Sequence, residues 1–263
     1  MSNTGAFSKP KPASVMLKRK QFEIMNRILY LLLVFAGLAC NDKNQTMTDQ
    51  PNIINEKEEL SAAFSYLALG DSYTIGESVD ESERFPIQLA KRLTEQGFQL
   101  KPVKIVAKTG WTTDELAEAI EKETLQKTYN LVTLLIGVNN QYRGRSADEY
   151  QDEFRTLLQT AIKLAGYHSK NVIVVSIPDY GVTPFGESRN PAKIASEIDL
   201  FNRINLEETQ KMNARYAEIT TISKDAANDT SLIANDGLHP SAKMYKLWVD
   251  KMLPLAKEIL ENQ

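Results

Sequence analysis

The alternation of short apolar runs with amphipathic segments, which begins near Ser65, is the feature that most constrains how this chain folds. Short runs rich in Val, Ile and Leu are typical of buried strands, and five are present, the last being the weakest: Tyr66–Leu69, Val103–Val106, Leu131–Ile136, Val172–Ile177 and Glu218–Ile222. Five segments have helical periodicity: Phe85–Gln96, Thr113–Glu123, Ser146–Ala165, Ile194–Tyr216 and Ala242–Leu260. Strands that alternate with helices predict an α/β fold with a mainly parallel five-stranded sheet covered on both faces.

Charge and cysteine content exclude several classes of protein. The chain has 263 residues, a net charge of -3 and a pI near 5.6, so it lacks the basic character expected of a nucleic-acid-binding protein. A hydrophobic content of 42% is enough for the core of one domain. The single cysteine, Cys40, rules out an internal disulfide and a cysteine-rich zinc site. Any mechanism that needs an imidazole must use His168 or His239.

Residues 1–39 have the pattern of a signal peptide. The basic residues Lys18–Lys20 and Arg27 precede an apolar run, Ile28–Ala39, that is too short to span a membrane comfortably. The run ends at Cys40 and polar residues follow, which resembles a bacterial lipoprotein cleavage site whose cysteine becomes the lipidated first residue. A short anchor helix with an incidental cysteine is the alternative. Because two internal methionines lie closer to the apolar run, the first fifteen residues are either an overlong gene start or a disordered extension.

Residues 40–60 are polar and rich in Asn, Asp, Lys and Glu, so we expect a flexible tether that leads to a domain over residues 61–263. More than one acyl chain on Cys40 would hold the protein stably at a membrane. The sequence therefore predicts a lipid-anchored protein of the bacterial cell envelope, periplasmic or surface-facing, whose domain faces water. A secreted protein is the alternative.

Polar segments follow the predicted strands at the point where each strand ends. The carboxyl ends of parallel strands meet at one edge of a sheet, and ligands bind at that edge. Four polar segments directly follow a strand, and a fifth precedes the last helix: Gly70–Ser72, Lys108–Thr112, Gly137–Tyr142, Pro178–Pro184 and Asn235–Pro240. We expect these five segments to form one site. His168 precedes a strand, so it is expected on the surface at the opposite edge.

Ser72, His239 and Asp236 are residue types that suit nucleophilic catalysis. A serine hydroxyl becomes a good nucleophile when a base takes its proton, and an imidazole can later return that proton to the leaving group. A carboxylate three residues before the histidine can lie in the same loop and hold its Nδ1–H, which leaves Nε2 for the serine. Taken singly, each of these motifs is also ordinary turn chemistry.

Four motifs occur in the order of the four blocks of the SGNH (GDSL-type) hydrolase superfamily: Gly70-Asp71-Ser72, Gly110, Gly137-x-Asn139 and Asp236-x-x-His239. From about Ser65 to its last residue the chain resembles that superfamily. The resemblance implies an esterase or lipase-like acyl hydrolase with a flavodoxin-like three-layer α/β/α sandwich. Two positions depart from its pattern: Tyr73 stands where the family has Leu, and Asn140 stands where it usually has Asp.

The resemblance also implies a role for each matching residue. Ser72 is the nucleophile, His239 the base and Asp236 the residue that orients the histidine. The backbone N–H groups of Ser72 and Gly110 and the side-chain amide of Asn139 form the oxyanion hole. Read without the resemblance, Gly110 only permits a tight turn and Asn139 only caps a loop.

Four further side chains are candidates to line the substrate: Trp111, Tyr142, Arg143 and Tyr180. The aromatic ones suit an acyl or sugar pocket, although core packing is an equally good use for each. Arg143, like Arg145, suits either an anionic group or the solvent-exposed surface. The segment Asp179–Pro191, with Gly and Pro at intervals, has the composition of a mobile loop that covers the site. Short acyl esters, sugar O-acetyl groups and lysophospholipids all remain open as substrates.

Three other functions fit parts of the sequence. A metal-dependent phosphoesterase would use Asp71, Asp236, His239 and Asn140, but two histidines are few for a dinuclear site. A flavin- or nucleotide-binding protein would need a phosphate-cradling glycine loop after the first strand, and the sequence lacks one. A non-catalytic envelope protein that binds glycans on a hydrolase scaffold is the main alternative, because a fold does not guarantee activity. We expect a serine esterase that needs no cofactor or metal.

Overall fold

The computed structural model describes residues 63–263; the predicted signal peptide, Cys40 and the whole of the predicted tether lie outside them. The described residues contain one sheet of five parallel strands: β1 (Tyr66–Gly70), β2 (Lys104–Ala107), β3 (Leu131–Leu135), β4 (Val172–Val175) and β5 (Arg215–Ala217). Their order across the sheet is β2-β1-β3-β4-β5. The α/β fold class predicted from the sequence is therefore confirmed.

Strand register brings the loops of the predicted site to one edge of the sheet. At the end of β1, Gly70 lies beside Ala107 of β2 and Leu135 of β3. These three neighbouring strands therefore end at the same level. The chain leaves each of them into one of the polar segments, which explains why residues far apart in sequence meet at this edge.

Nine α-helices lie between and after the strands of the described region: α1 (Ser72–Ile75), α2 (Phe85–Glu95), α3 (Thr113–Lys122), α4 (Val138–Tyr142), α5 (Ala147–Leu164), α6 (Pro184–Glu187), α7 (Pro191–Lys211), α8 (Thr220–Lys224) and α9 (Ala242–Glu261). Helices α2 and α9 pack against each other on one face of the sheet, and α5 packs against α3 and α7 on the other. Within residues 63–263 no helix is long and apolar enough to cross a membrane.

Helix starts follow the capping residues in the sequence. The Thr112 side chain and the Glu115 side chain cap the first turn of α3 reciprocally, and Ser146 accepts a hydrogen bond from the N–H of Glu149 at the start of α5. In the core between α2 and α9, the indole of Trp248 lies against Phe85 and Tyr245, with ring centroids 6.4 and 5.1 Å away. This aromatic cluster fixes the carboxyl-terminal helix against the domain.

The fifth strand lies earlier in the chain than predicted. Glu218–Ile222 was expected to form it, but β5 is Arg215–Ala217, and α8 begins at Thr220. For the same reason α7 ends at Lys211, before the predicted end at Tyr216. The Ser176 hydroxyl accepts hydrogen bonds from the N–H groups of Ile219 and Thr220, so these donors are not free to extend the sheet.

Candidate active site

Ser72 lies at the end of β1, where the chain turns directly into α1. Gly70 makes this turn possible, because a Cβ there would lie 2.1 Å from Thr74 Oγ1 and 2.3 Å from the carbonyl oxygen of Leu135. The Asp71 side chain caps α1 by accepting a hydrogen bond from the N–H of Tyr73 at 3.0 Å. Its other oxygen is buried and has no partner among residues 63–263, and burial raises the pKa of Asp71 to about 7.

His239 and Asp236 lie together in the loop that precedes α9. His239 Nδ1 is 2.6 Å from Asp236 Oδ2, and because a carboxylate only accepts hydrogen bonds, the imidazole donates here. The other oxygen, Oδ1, accepts from the N–H groups of Leu238 and His239, each at 2.9 Å. Burial by itself would raise the pKa of Asp236, but these hydrogen bonds and one from Ser78 hold it well below its ordinary value.

A cavity of about 160 Å³ at the carboxyl edge of the sheet brings most of the predicted site residues together. Six of them line it: Ser72, Gly110, Asn139, Tyr142, Tyr180 and His239. Trp111 and Arg143, predicted to line the substrate, are not part of the lining. Sequence reasoning did not single out four of the lining residues: Thr109, Val138, Phe185 and Leu238. Within residues 63–263 the Ser72 hydroxyl has no hydrogen-bond partner, so it is available to a ligand in this cavity.

Ser72, Gly110 and Asn139 line the cavity, and each of them carries an N–H donor. Among residues 63–263, the backbone N–H groups of Ser72 and Gly110 donate to no other protein group. Asn139 Nδ2 donates to the carbonyl oxygen of Trp111 at 2.9 Å, which uses one of its two N–H bonds and orients the amide at the cavity wall. Gly137 starts the helix that carries Asn139; its φ is 127°, and a Cβ there would lie 2.4 Å from the Tyr150 hydroxyl.

Asn140 and Arg143 tie the loop after β2 to the loop after β3. Asn140 Oδ1 accepts from the N–H of Thr113 at 3.1 Å, and its amide donates to Thr113 Oγ1 at 2.5 Å. Arg143 donates to the carbonyl oxygen of Gly110 at 2.6 Å and pairs with Glu115 at 3.1 Å. Arg143 therefore braces the loop of Gly110 from outside the cavity.

An aromatic wall closes one side of the cavity. It consists of Tyr142, Tyr180 and Phe185, whose ring centroids are 6.1 to 6.4 Å apart. The segment 179–191, for which the sequence suggested a mobile covering loop, forms two short helical turns. The N–H of Phe185 donates to the carbonyl of Gly237 at 3.0 Å, and the Tyr180 hydroxyl donates to Gln141 at 2.9 Å. The segment is a packed wall in this structure.

The structure also locates His168 and the four residues of the metal-dependent alternative. His168 precedes the short turn that leads into β4, at the opposite edge from Ser72. Among residues 63–263, no group of three or more His, Cys, Asp or Glu side chains is arranged to hold a metal ion. Asp71, Asn140, Asp236 and His239, which a metal-dependent phosphoesterase would use, are therefore not gathered into a ligand cluster. Instead, Asp236 is held by His239, and Asn140 by Thr113.

Several solved structures are similar to this chain. A lipase/acylhydrolase from Enterococcus faecalis is 21% identical with a TM-score of 0.58 and matches 74% of this chain and 96% of its own. An acetylxylan esterase from Geobacillus stearothermophilus is 17% identical with a TM-score of 0.58, over 75% and 96% of the two chains. A psychrotrophic esterase from Pseudoalteromonas, solved with monoethylphosphonate as inhibitor, is 19% identical with a TM-score of 0.54, over 75% and 99%. At these identities the likeness establishes the fold.

No curated protein matches the chain. The family model of GDSL-like lipases and acylhydrolases matches residues 68–247, a range that begins within β1 and ends inside α9. It thus spans the sheet from Ala68 of β1 onward, together with Ser72, Asn139 and His239. With this match over most of its length and the fold shared with solved relatives, the chain belongs to the GDSL-like lipase/acylhydrolase family.

Proposed function

We propose that this chain is a serine esterase that hydrolyses carboxylic esters through Ser72, His239 and Asp236. The observation that carries the proposal is the orientation of His239. Its Nδ1 is bonded to Asp236, so Nε2 is the nitrogen left for chemistry, and the ring lines the same cavity as the Ser72 hydroxyl. A general base needs a ring that is held through one nitrogen and a second nitrogen left for the nucleophile, and the Asp236 contact supports this role for His239.

The reaction follows from these groups in two stages. Nε2 of His239 takes the proton of Ser72 as Oγ attacks the ester carbonyl, and the same nitrogen returns that proton to the departing alcohol. A water molecule then attacks the acyl-serine, with His239 again accepting and returning a proton, which releases the carboxylic acid. Asp236 stays ionised throughout and stabilises the imidazolium that forms in each stage.

The oxyanion of each tetrahedral intermediate would be bound by the N–H groups of Ser72 and Gly110 and by the Asn139 amide. The free state of the two backbone donors supports this assignment. Donors held in place before the reaction act only when charge develops, so we expect Asn139→Ala to lower kcat by a factor of about 10² or more while KM changes little. Initial rates over a range of ester concentrations test this expectation.

The cavity favours a short, uncharged acyl group. Its volume of about 160 Å³ is close to that of a cavity of roughly 150 Å³ that binds a benzene-sized molecule, so it can enclose only a small group. Its wall is aromatic and apolar, and no Lys or Arg side chain is part of the lining. Tyr142 lines the cavity and is half exposed, so its ring would stack on the alcohol portion. Short-chain esters, including O-acetyl groups of sugars, therefore fit better than lysophospholipids.

A fluorophosphonate probe, which forms a covalent bond with an activated serine, tests the mechanism. We expect the purified chain to be labelled, and Ser72→Ala and His239→Ala to remain unlabelled. Ser82→Ala, a change at an exposed serine away from the cavity, is the matched control and keeps the label. A folded chain that binds acetylated glycans but takes no label would instead support the non-catalytic alternative.

A panel of p-nitrophenyl esters tests the acyl preference. We expect kcat/KM to be highest for acetate or butyrate and to fall by about tenfold or more at octanoate, because the longer chain cannot be enclosed. A maximum at long acyl chains would contradict the proposed substrate class while leaving the mechanism intact.

We also propose that the protein is anchored to the cell envelope through a lipidated Cys40. The support is the sequence pattern, since this residue lies outside the described part of the chain. In a bacterial host fed an alkyne fatty acid, the full chain should carry the label and sediment with membranes. Cys40→Ser should lose both properties, and an unlabelled parent chain would contradict the proposal.

A further inference from the structure

Asp236 Oδ2 accepts two hydrogen bonds, and only one of them comes from the histidine. His239 Nδ1 lies 2.6 Å from this oxygen, and Ser78 Oγ donates to the same oxygen at 2.7 Å. Ser78 is 158 residues away in the sequence, in the loop that leaves α1. The hydroxyl therefore joins the segment of the nucleophile to the loop of the base.

The backbone around Ser78 is built to present this hydroxyl. Ser78 has a φ of 65°, a left-handed conformation that is uncommon for any residue with a Cβ. The loop is fastened to the nucleophile's helix, because the N–H groups of Gly76 and Glu77 both donate to the carbonyl oxygen of Ser72 at 3.0 Å. A strained conformation that persists at the border of a site indicates that the site uses it.

We propose that Ser78 is a positioning residue of the catalytic relay, which holds the Asp236 carboxylate in the orientation that aligns His239 with Ser72. This inference rests on the proposed esterase function. Oδ1 is fixed by the N–H groups of its own loop. Oδ2 is held by His239, which gains and loses a proton at Nε2 during catalysis, and by Ser78, which does not change its protonation state. The bond from Ser78 keeps Oδ2 in place while His239 changes its protonation state.

The location of Ser78 separates this role from substrate binding. Ser78 is exposed and does not line the cavity, so its removal takes no contact away from a bound ester. A residue that acts only through Asp236 should change kcat and leave KM nearly unaltered.

Two variants at the same position separate the hydroxyl from the backbone. Ser78→Ala removes the hydroxyl and keeps the strain, whereas Ser78→Gly removes the hydroxyl and relieves the strain. We expect both to lower kcat, and the rate of phosphonate labelling of Ser72, by about tenfold with KM within about twofold, as for the loss of a hydrogen bond to a charged group. The exposed Ser82→Ala is the matched control. If Ser78→Gly keeps the parent kcat, the hydroxyl has no such role and the proposal is overturned.

A double-mutant cycle tests whether Ser78 acts through Asp236. In an Asp236→Ala background the acceptor is gone, so adding Ser78→Ala should lower the residual rate by less than about twofold. A further tenfold loss in that background would show that Ser78 acts by another route and would overturn the proposal.

One readout does not depend on turnover. The proton between His239 Nδ1 and Asp236 Oδ2 should give a low-field proton NMR signal, which His239→Ala identifies by its loss. We expect Ser78→Ala to move or broaden this signal and Ser82→Ala to leave it in place. An unmoved signal in Ser78→Ala overturns the positioning role. An inactive parent chain with a signal that does respond would instead contradict the esterase function alone.

Discussion

Asp71 and Asp236 lie close in sequence to Ser72 and His239, the proposed nucleophile and base, yet their surroundings are opposite. Asp71 is 1% exposed and receives one hydrogen bond, on one of its two oxygens. Asp236 is more open, with 30% of its side chain exposed, and its oxygens receive four hydrogen bonds. Burial raises the pKa of Asp71 to about 7, whereas the donors around Asp236 outweigh its burial and lower its pKa.

The number of hydrogen-bond donors, rather than nearness to the serine, therefore decides which carboxylate can serve as the permanent anion of the proposed relay. Asp236 remains ionised over the whole range in which an imidazole can act as a base, so it can stabilise a protonated His239. Asp71 lies next to Ser72 in the chain, but its carboxyl is partly protonated near neutral pH. Its part is to cap α1 and hold the turn.

The largest expected difference between Asp71 and Asp236 is the effect of their substitution on kcat. Asp236→Asn removes the charge and favours the wrong tautomer of His239, so we expect kcat to fall by about 10³- to 10⁴-fold. Asp71→Asn keeps an oxygen for the N–H of Tyr73, so the loss there should be less than about tenfold. Initial rates with a short-chain ester measure both. Equal losses in the two variants would contradict the comparison.

The raised pKa of Asp71 makes the stability of the folded chain depend on pH. Because the pKa of Asp71 is raised from 3.8 to about 7 in the folded state, the folded chain binds more protons than the unfolded chain between these values. Its contribution to stability is therefore present at low pH and is lost as the pH rises towards 7. Asp71→Asn removes this dependence, so relative to the parent it should gain about 2–4 kcal/mol between pH 4.5 and pH 8.

Urea unfolding of both chains at the two pH values measures this change. The comparison uses the difference between variant and parent at each pH, which removes the contributions of all other titrating groups. A difference that stays constant with pH would mean that Asp71 is already ionised in the folded chain.

The fold and the central residues of the site follow from the sequence because their signals are local. Apolar runs and helical periodicity give the first four strands within a few residues, and turn residues at the strand ends give the edge that holds Ser72 and His239. The fifth strand is misplaced because Ile219 and Ile222 supply the apolar pattern, while the hydrogen bonds that Ser176 accepts from the N–H groups of Ile219 and Thr220 decide the backbone there.

The contacts that the sequence could not give are those set by tertiary structure. Nothing near Ser78 marks it as a partner of Asp236, since the contact depends on a left-handed residue and on two loops that meet only after folding. Arg143 follows the Asn139 loop closely enough to suggest a substrate contact, but Glu115 and the carbonyl of Gly110 hold it outside the cavity. Spacing along the chain does not predict which of two neighbouring partners a long side chain takes.

Glu208, a third carboxylate, shows how hydrogen-bond donors change the pKa of a buried group away from the active-site cavity. Glu208 has a side chain only 1% exposed, but unlike Asp71 it receives hydrogen bonds from Arg155, Lys211 and Gln151. The hydrogen bonds, chiefly that from Arg155, lower its pKa to about 2. We expect Glu208→Gln to destabilise the chain by about 2 kcal/mol at pH 7, since the partly exposed Arg155 and Lys211 limit the loss.

The sign of its pH dependence is opposite to that of Asp71. The contribution of Glu208 is present above its unfolded pKa of 4.5 and is lost as the pH falls towards 2, so the difference in stability between parent and variant at pH 3 should be less than about half of that at pH 7. Glu95→Gln, at an exposed carboxylate that forms no ion pair among residues 63–263, serves as the control. A loss for Glu208→Gln that is the same at pH 3 and pH 7 would show that its charge is not the cause.

The smallest expected effect is on stability, when Asp replaces the buried Asn140 at a position with few hydrogen-bond donors. The buried amide of Asn140 donates to Thr113 Oγ1 and, at 3.4 Å, to Glu153 Oε2, so Asn140→Asp sets a second carboxylate against Glu153 in exchange for a donor. This explains why Asn suits a position where the family usually has Asp.

We expect Asn140→Asp to lower the free energy of unfolding by about 1 kcal/mol at pH 8, as measured by urea unfolding. The loss is limited because Arg145 lies 3.5 Å from Glu153 and partly neutralises its charge. In a Glu153→Gln background the repulsion is gone and the same change should cost less than half as much. An equal cost in both backgrounds would assign the loss to Thr113, whose Oγ1 loses the same donor, and would remove Glu153 from the explanation.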